Sequence, residues 1–276
     1  MPKHIYEYDC VDIYKQPAFD NVLLKNHKIQ FAVFHTKLNK PGIYGARAVI
    51  DVYDPPVKMN QVSSAQIWVE GGPPAELNSI QFGWAVSHHF ISTFMNNNAD
   101  ASQKTGCYNT MCPGFVQVHP SQHVGQPFEN SSVIGGLICA TQPLIYKKFL
   151  QDPETGNWWL FVDSSSKIGY WPKEILPHLS KAATFVQYGG WTYNSPDGLS
   201  PPMGTGRFPS KNIHESCFFA QLQTVNKFNN LVDIERDSLQ KVVDNTSCYD
   251  AKHWGNRYGT LAQTFSFGGP GGMCGI

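Results

Sequence analysis

The chemistry open to this chain is best sought where a polar side chain stands alone among small residues. In the segment Ser79 to Val86, the bulky Ile80, Phe82, Trp84 and Val86 alternate with Ser79, Gln81, Gly83 and Ala85. A period of two puts these sets on opposite faces of a strand. The bulky set belongs to a core, and Gln81 stands above the small face as on the floor of a cleft. The segment Thr184 to Tyr193 repeats the idea, with Gly189 and Gly190 thinning a strand beside Trp191. Glycines of this kind also mark an ordinary twist or bulge, and pattern alone leaves both readings open. Gln66, Trp68 and Gln187 join Gly189 and Gly190 as candidates for the cleft lining. The acids within reach are Glu70 and Glu76, which flank the loop before Gln81, and Asp197 in the stretch after Trp191. Two such carboxyls could run general acid–base hydrolysis.

Other chemistries find less support. His88-His89 and the HxxxH of His119 and His123 lack the helix that aligns such a pair on zinc, and Pro120 makes the second pair a loop. The seven cysteines (Cys10, Cys107, Cys112, Cys139, Cys217, Cys248 and Cys274) show no close CxxC repetition. No metal and no cofactor is expected. Ser131 and Ser132 carry no triad signature. Cys107 and Cys112 bracket a loop short enough for a local disulfide, and Cys248 with Cys274 could tie down the C-terminal tail; seven free thiols is the alternative. Asn130-Ser131-Ser132 and Asn245-Thr246-Ser247 are acceptor sequons, so Asn130 and Asn245 are glycosylation candidates and a secreted protein is favoured.

The elements that must position these residues are strands. The chain has 276 residues, 15% charged and 41% hydrophobic, with 21 Lys+Arg against 21 Asp+Glu. That balance argues against disorder and against a basic nucleic-acid binder. The longest apolar run, Val133 to Tyr146, is broken by Gly135, Gly136, Thr141, Gln142 and Pro143 and falls short of a membrane span. The start of the chain lacks the apolar stretch of a secretory signal. Gly 24 and Pro 19 punctuate a sequence rich in Phe, Tyr and Trp. About ten short β-like runs follow from Tyr44, among them YGARAVIDVYD, SSAQIWVEGG, LNSIQFGWAVS, ATFVQYGGWTYN and FFAQLQTVN. Such spacing predicts an all-β antiparallel sandwich or barrel. Lys173 to Ala183 is the one expected helix, limited by Pro177, and 95–104 and 194–211 are expected loops. Residues 1–30 carry Phe19, Val22, Leu23 and Leu24 without alternation and suggest a docked arm.

Eight motifs now fall into place: QIWVEGG, LNSIQFGW, TGCYNTMCPGFVQ, GNWWLFV, IGYWPKEI, FVQYGG, PPMGTGRFP and FGGPGGMCG. In this order, from about Tyr44 to Cys274, they resemble the plant neprosin family, and DCVDIYKQPAFDNVLLKNHKIQ resembles the end of that family's propeptide. The resemblance implies a propeptide-like arm over 1–36 and a sandwich over 37–276, made of two curved antiparallel sheets with a cleft on one. It also implies secretion to the cell wall, extracellular space or vacuole, disulfides Cys107–Cys112 and Cys248–Cys274, and kinship with glutamic endopeptidases that cut after proline. In that family the first catalytic glutamate lies in a motif resembling NSIEAGW, where this chain has Gln81. The second follows the glycine pair in a motif resembling VQFGGE, where this chain has Trp191. Both acids are replaced.

The expected function is therefore a neprosin-like protein without glutamic endopeptidase activity. Its former cleft would bind a small molecule, a proline-rich peptide or a glycan, or host different chemistry, with Trp191 as an aromatic platform. No nucleic acid or membrane partner is expected. The alternatives are a proline-directed endopeptidase using a relocated pair among Glu70, Glu76 and Asp197, and a repurposed biosynthetic enzyme.

Overall fold

The computed structural model describes residues 29–37, 42–87, 90–100, 106–111, 114–147, 156–163, 165–256 and 261–274. Among these, regular structure consists of strands and short 3-10 turns. In chain order the first strands are β1 (Ile29–Thr36), β2 (Gly45–Asp51), β3 (Val62–Gly71), β4 (Asn78–Ser87), β5 (Phe90–Asn98), β6 (Cys107–Tyr108), β7 (Val116–Gln117), β8 (Ala140–Thr141) and β9 (Leu144–Lys147). There follow β10 (Trp158–Val162), β11 (Ser166–Trp171), β12 (Phe185–Tyr193), β13 (Leu199–Ser200), β14 (Cys217–Val225) and β15 (Leu231–Asp233). The last are β16 (Leu239–Val243), β17 (Asp250–Gly255), β18 (Thr264–Gly268) and β19 (Gly272–Met273). They form a seven-stranded sheet in the order β16-β1-β12-β3-β4-β5-β6, a ten-stranded sheet with the path β17-β18-β14-β2-β9-β10-β11-β7, and the small pair β13-β19. The pairings through both sheets are antiparallel, as the run of short strands predicted.

The two large sheets meet through the bulky faces of their strands. Ile80, Phe82, Trp84 and Val86 of β4 are fully buried, with Ile67 and Val69 of β3 and Val186 and Tyr188 of β12. Across from them stand Ala46, Ala48 and Ile50 of β2 and the stacked Phe219 and Phe265, whose ring centroids are 5.0 Å apart. Two polar groups inside this layer find partners on the opposite sheet. The Trp84 indole donates to the Asp51 carbonyl at 2.8 Å and the Tyr188 hydroxyl to the Gln223 carbonyl at 2.8 Å, each tying one sheet to the other.

Three expectations are corrected. Ile29–Thr36, assigned to the end of the arm, is a strand paired on both sides, with β12 from Ile29↔Tyr193 to His35↔Gln187 and with β16 from Ala32↔Val243 to Thr36↔Leu239. Its outer face carries the apolar Ile29, Phe31 and Val33 while the buried inner face includes the polar Gln30 and Thr36, so polarity does not alternate with burial, which is why it did not read as a strand; the sandwich starts no later than Ile29. Residues 1–28, with Phe19, Leu23 and Leu24, lie outside the described residues. Phe90–Asn98, read in its second half as a loop, is the nine-residue β5, fully paired with β4. The expected helix at Lys173–Ala183 is instead two 3-10 turns, Lys173–Ile175 and Pro177–Leu179. Pro177 would lie inside an α-helix begun at Lys173 and lacks the N–H that would reach the Lys173 carbonyl. The buried Lys147 ammonium receives the second turn, donating to the Ser180 carbonyl at 2.7 Å, while the Trp158 indole donates to Leu179.

Cys248 and Cys274 form a disulfide across 26 residues of sequence, while Cys139 and Cys217 are free thiols. Cys10 and Cys112 lie outside the described residues. The bridge closes a loop containing β17 and β18, so Cys248→Ser with Cys274→Ser is expected to lower the free energy of unfolding by roughly 3 kcal/mol. Urea unfolding of the oxidised wild type and the double variant measures this, and equal midpoints would remove the bridge from the stability of the fold.

Candidate active-site face

Antiparallel register fixes which side chains share a face. Crossing β12, β3, β4 and β5, one row reads Gln187, Trp68, Gln81 and Asn96. The row on one side of it reads Phe185, Glu70, Ser79 and Asn98. On the other side follow Gly189, Gln66, Gly83 and Phe94, and then Trp191, Ser64, Ala85 and Ser92. Gln81 and Trp191, the two expected acid positions, therefore lie on one face with the row of Gln66 between them. This is the face turned away from the sandwich core. Gly189 and Gly83 flank Gln66, and neither position accepts a side chain. A Cβ on Gly83 would collide with the Ala65 carbonyl, and one on Gly189, whose φ is +151°, would collide with the Ala32 carbonyl. Gly190 is corrected as a lining residue: its missing side chain opens toward Phe267 and Met203, on the core side. The two consecutive glycines thus serve opposite faces of β12.

Gln66 is the hub of the face. One terminal atom of its amide lies 2.9 Å from the Gln81 amide, 3.0 Å from the Trp68 indole nitrogen and 3.2 Å from the Trp191 indole nitrogen. An indole N–H can only donate, so this atom is the carbonyl oxygen of Gln66, and the amide orientation follows from the network. The other end of the Gln66 amide then faces the Ser64 hydroxyl at 3.4 Å, which itself donates to the Trp84 carbonyl at 2.6 Å. Beyond Gln81, the chain continues to the Ser79 hydroxyl at 3.0 Å and from Ser79 to Glu70 Oε1 at 2.9 Å. Gln187 Nε2 donates to Glu70 Oε2.

Glu70 is 4% exposed. Loss of hydration pushes its carboxyl up to about 7, against the opposing pull of hydrogen bonds from Gln187 and Ser79. The indoles at the far end are also shut away, Trp68 at 4% and Trp191 at 7% exposure. Trp191 meets Phe94 edge-on at 6.0 Å and Trp68 meets Phe31 at 6.2 Å. These rings, with Val33 and Ala85, form a second apolar cluster. Trp191 is accordingly not the open stacking platform expected of it. Gln81, Gln187 and Asn96, which lie in one row, are half-exposed residues, although the Asn96 amide oxygen is itself buried. Asn96 Oδ1 and Asn98 Oδ1, two residues apart on β5, have no partner among the described residues.

Of the three alternative acids, the fold brings one to the face. Glu70 has the strand parity of Gln66 and Trp68, so its place was readable from i, i+2, i+4 spacing along β3. Glu76 lies on an exposed 3-10 turn, 3.1 Å from His178 Nε2. Asp197 is exposed in the turn after β12, its carboxyl held below the usual range chiefly by the Ser195 hydroxyl, at 2.6 Å, and by the Leu199 amide. Neither is hydrogen-bonded to the network. Ser79 was missed as a site residue because a serine on the small face of a strand looks like a spacer.

The remaining candidates have local roles. His119 Nδ1 accepts from the Gln122 amide at 2.9 Å within a turn, and His88 and His89 lie outside the described residues. The Ser132 hydroxyl donates to Asp51 Oδ1 and accepts from the Cys139 amide. Asn130 is exposed, while the Asn245 amide donates to the Cys274 carbonyl at 3.3 Å.

Two crystal structures of scytalido-glutamic peptidase are similar to this chain. The one with a transition state analog inhibitor is 9% identical, with a TM-score of 0.47, 87% of this chain and 98% of that chain being covered. The one with a peptide based transition state analog is 8% identical, with a TM-score of 0.44 and coverages of 87% and 96%. A third similar structure, Ruminococcus gnavus IT-sialidase CBM40 bound to alpha2,6 sialyllactose, has 12% identity, a TM-score of 0.28 and coverages of 62% and 92%. The Neprosin family matches residues 59–270, and the chain belongs to that family.

Proposed function

We propose that this domain keeps the peptidase-like fold of its family without two-carboxylate hydrolysis, and that the face around Gln66 binds an uncharged ligand through its amides. The observation that carries this reading is the unbroken hydrogen-bond chain from Glu70 through Ser79, Gln81 and Gln66 to the Trp68 and Trp191 indoles. Hydrolysis by paired carboxyls needs one group to activate water and a protonated partner to donate to the departing amide. Gln81 exchanges no proton near neutrality, and the Trp191 indole has one N–H and no basic site. Each lost acid or base is worth roughly 10²- to 10⁴-fold in rate. Glu70 is one carboxyl where two are required, and both its oxygens are already hydrogen-bonded.

The row of Gln187, Gln81 and Asn96 offers uncharged donors and acceptors on three strands. A proline-rich peptide suits it better than a charged ligand. Its tertiary amides present carbonyl acceptors in a preformed extended helix and ask for no carboxylate. The Cys248–Cys274 bridge and the exposed Asn130 sequon support an oxidising, secretory compartment. The test is to follow binding and cleavage of one proline-rich peptide between about pH 3 and about pH 8, with wild type, Glu70→Gln, Glu76→Gln and Asp197→Asn. Binding without cleavage is expected throughout. Cleavage that disappears on neutralising one of these acids would establish a relocated catalytic site and overturn the proposal.

A further inference from the structure

The geometry points to Glu70 as the positioning residue of this face. Its proton fixes the direction of the Gln81 and Gln66 amides, so that Gln81 presents an N–H to the carbonyl oxygen of an uncharged ligand. The ligand class rests on reading the face as a binding surface; the place of the proton rests on the network alone.

Indole donors cannot reverse, and they set the direction of the whole chain. Two indole N–H groups converge on Gln66, at 3.0 and 3.2 Å, and make the facing atom its oxygen. Gln81 must then turn its NH₂ toward that oxygen, which leaves Gln81 Oε1 facing the Ser79 hydroxyl at 3.0 Å. Ser79 gives its one proton to Gln81 and must accept at its other contact, 2.9 Å from Glu70 Oε1. The donor in that contact is therefore a protonated Glu70, while Glu70 Oε2 accepts from Gln187. Every link then joins one donor to one acceptor, and the half-exposed Gln81 keeps a second N–H beyond the one it gives to Gln66.

An ionised Glu70 reverses the chain. Ser79 would donate to the carboxylate, Gln81 would turn its NH₂ to Ser79, and its oxygen would face the Gln66 oxygen. Turning Gln66 as well sets its NH₂ against two indole N–H groups. One buried mismatch remains in the first case and two in the second, and the N–H offered to a ligand is withdrawn. Burial in the sheet agrees with a neutral Glu70, its carboxyl being pushed up to about 7. The titratable groups arranged around it are His35, in register with Gln187 on β1, and the Glu76–His178 pair near the end of the sheet. Thr184, whose hydroxyl donates to the Glu70 carbonyl at 3.3 Å, completes its polar surroundings.

The experiment follows the indole ¹⁵N–¹H resonances of Trp68 and Trp191 with pH in wild type, Glu70→Gln and Ser79→Ala. In the wild type both should titrate together with a midpoint near the Glu70 value of about 7. Gln at position 70 donates to Ser79 and accepts from Gln187 as the neutral acid does, so Glu70→Gln should fix the indoles at their low-pH positions. Ser79→Ala cuts the chain and should remove the common titration. The ligand class is probed with an acetylated, amidated tetraproline peptide. The wild type should bind it about tenfold more weakly at roughly pH 8.5 than at roughly pH 5.5, the worth of one hydrogen bond, and Glu70→Gln should bind it equally at both. Indoles that do not titrate, or titrate alike in Glu70→Gln, overturn the role of Glu70. Tetraproline affinity independent of pH in the wild type overturns the carbonyl-donor assignment. No tetraproline binding by any variant overturns the proposed binding function instead, and the indole titration judges Glu70 separately.

Discussion

The double variant Asp51→Asn with Glu70→Gln should gain stability over the wild type as the pH rises from about 4.5 to about 7, by roughly 3 kcal/mol for each acid replaced. Among the described residues a buried carboxyl lies in each large sheet. Glu70 lies on β3, and Asp51 on β2 is fully buried, with Oδ1 accepting from Ser132 and Oδ2 without a partner among the described residues. Loss of hydration pushes both up to about 7. The sign follows from which state holds the proton. An acid whose folded pKa lies above its unfolded value stays protonated in the fold after the unfolded chain has released its proton. Stability then falls as pH rises between the two values and levels off above the folded one. His253 works in the opposite direction: burial brings its imidazole down to about 4, so it favours the fold increasingly as pH rises from about 4 toward its ordinary value. That contribution is common to both proteins and cancels in their difference. Asn and Gln keep the shape and hydrogen bonds of the neutral acids and have nothing to ionise. Urea unfolding at a series of pH values reads the difference, and a gap that stays constant with pH would mean that both acids titrate at ordinary values in the fold.

How far the sequence foretold this arrangement depends on whether a residue's neighbours were local. Period-two alternation sufficed for β4, because Ile80, Phe82, Trp84 and Val86 are buried by their own parity and Gln81 is set on the opposite face by the same rule. Parity was also enough to put Gln66, Trp68 and Glu70 on one side of β3. It could not say that Gln66 would touch Trp191, since that contact depends on β12 pairing with β3 across more than a hundred residues. Asn96, Asn97 and Asn98 have turn-forming side chains and looked like a loop. Pairing with β4 along the whole of β5 overrode that preference. The pair Gly189-Gly190 showed a thinned strand, yet only the second sheet reveals that Gly190 makes room for Phe267 and Met203. The Glu70 proton, finally, was invisible to any pattern. It is set by two indole donors at the far end of a chain of amides, a property of the assembled face.

Restoring both acids, Gln81→Glu with Trp191→Glu, should produce cleavage after proline at acid pH where the wild type shows none. Each group contributes roughly 10²- to 10⁴-fold to amide hydrolysis, so either single change should stay inactive. The structure says what the rebuilt pair would inherit. A carboxyl at position 81 would keep the contacts to Gln66 and Ser79 now made by Gln81, at 2.9 and 3.0 Å, which hold it in place. Position 191 stands beyond Gln66 on the same face, and because glycines flank Gln66 on the neighbouring strands, the Gln66 side chain is what lies between the two positions. The cost falls at Trp191. Replacing an indole packed against Phe94 and lying in one cluster with Val33, Ala85 and Trp68 leaves a cavity worth about 3–5 kcal/mol, so unfolding must be measured on the same sample to separate an inactive fold from an unfolded chain. Glu70 adds a third carboxyl, one serine away from the restored acid at position 81. Mutual repulsion favours states in which the three share protons and raises the pH at which the last of them ionise, so Glu70→Gln in the rebuilt protein should shift the activity optimum downward. Wild-type cleavage that survives both Gln81→Ala and Trp191→Ala would sink this account, because the acids responsible would lie elsewhere. A folded but inactive double variant would mean that the face no longer seats a scissile peptide, leaving amide recognition as the chemistry that its residues can perform.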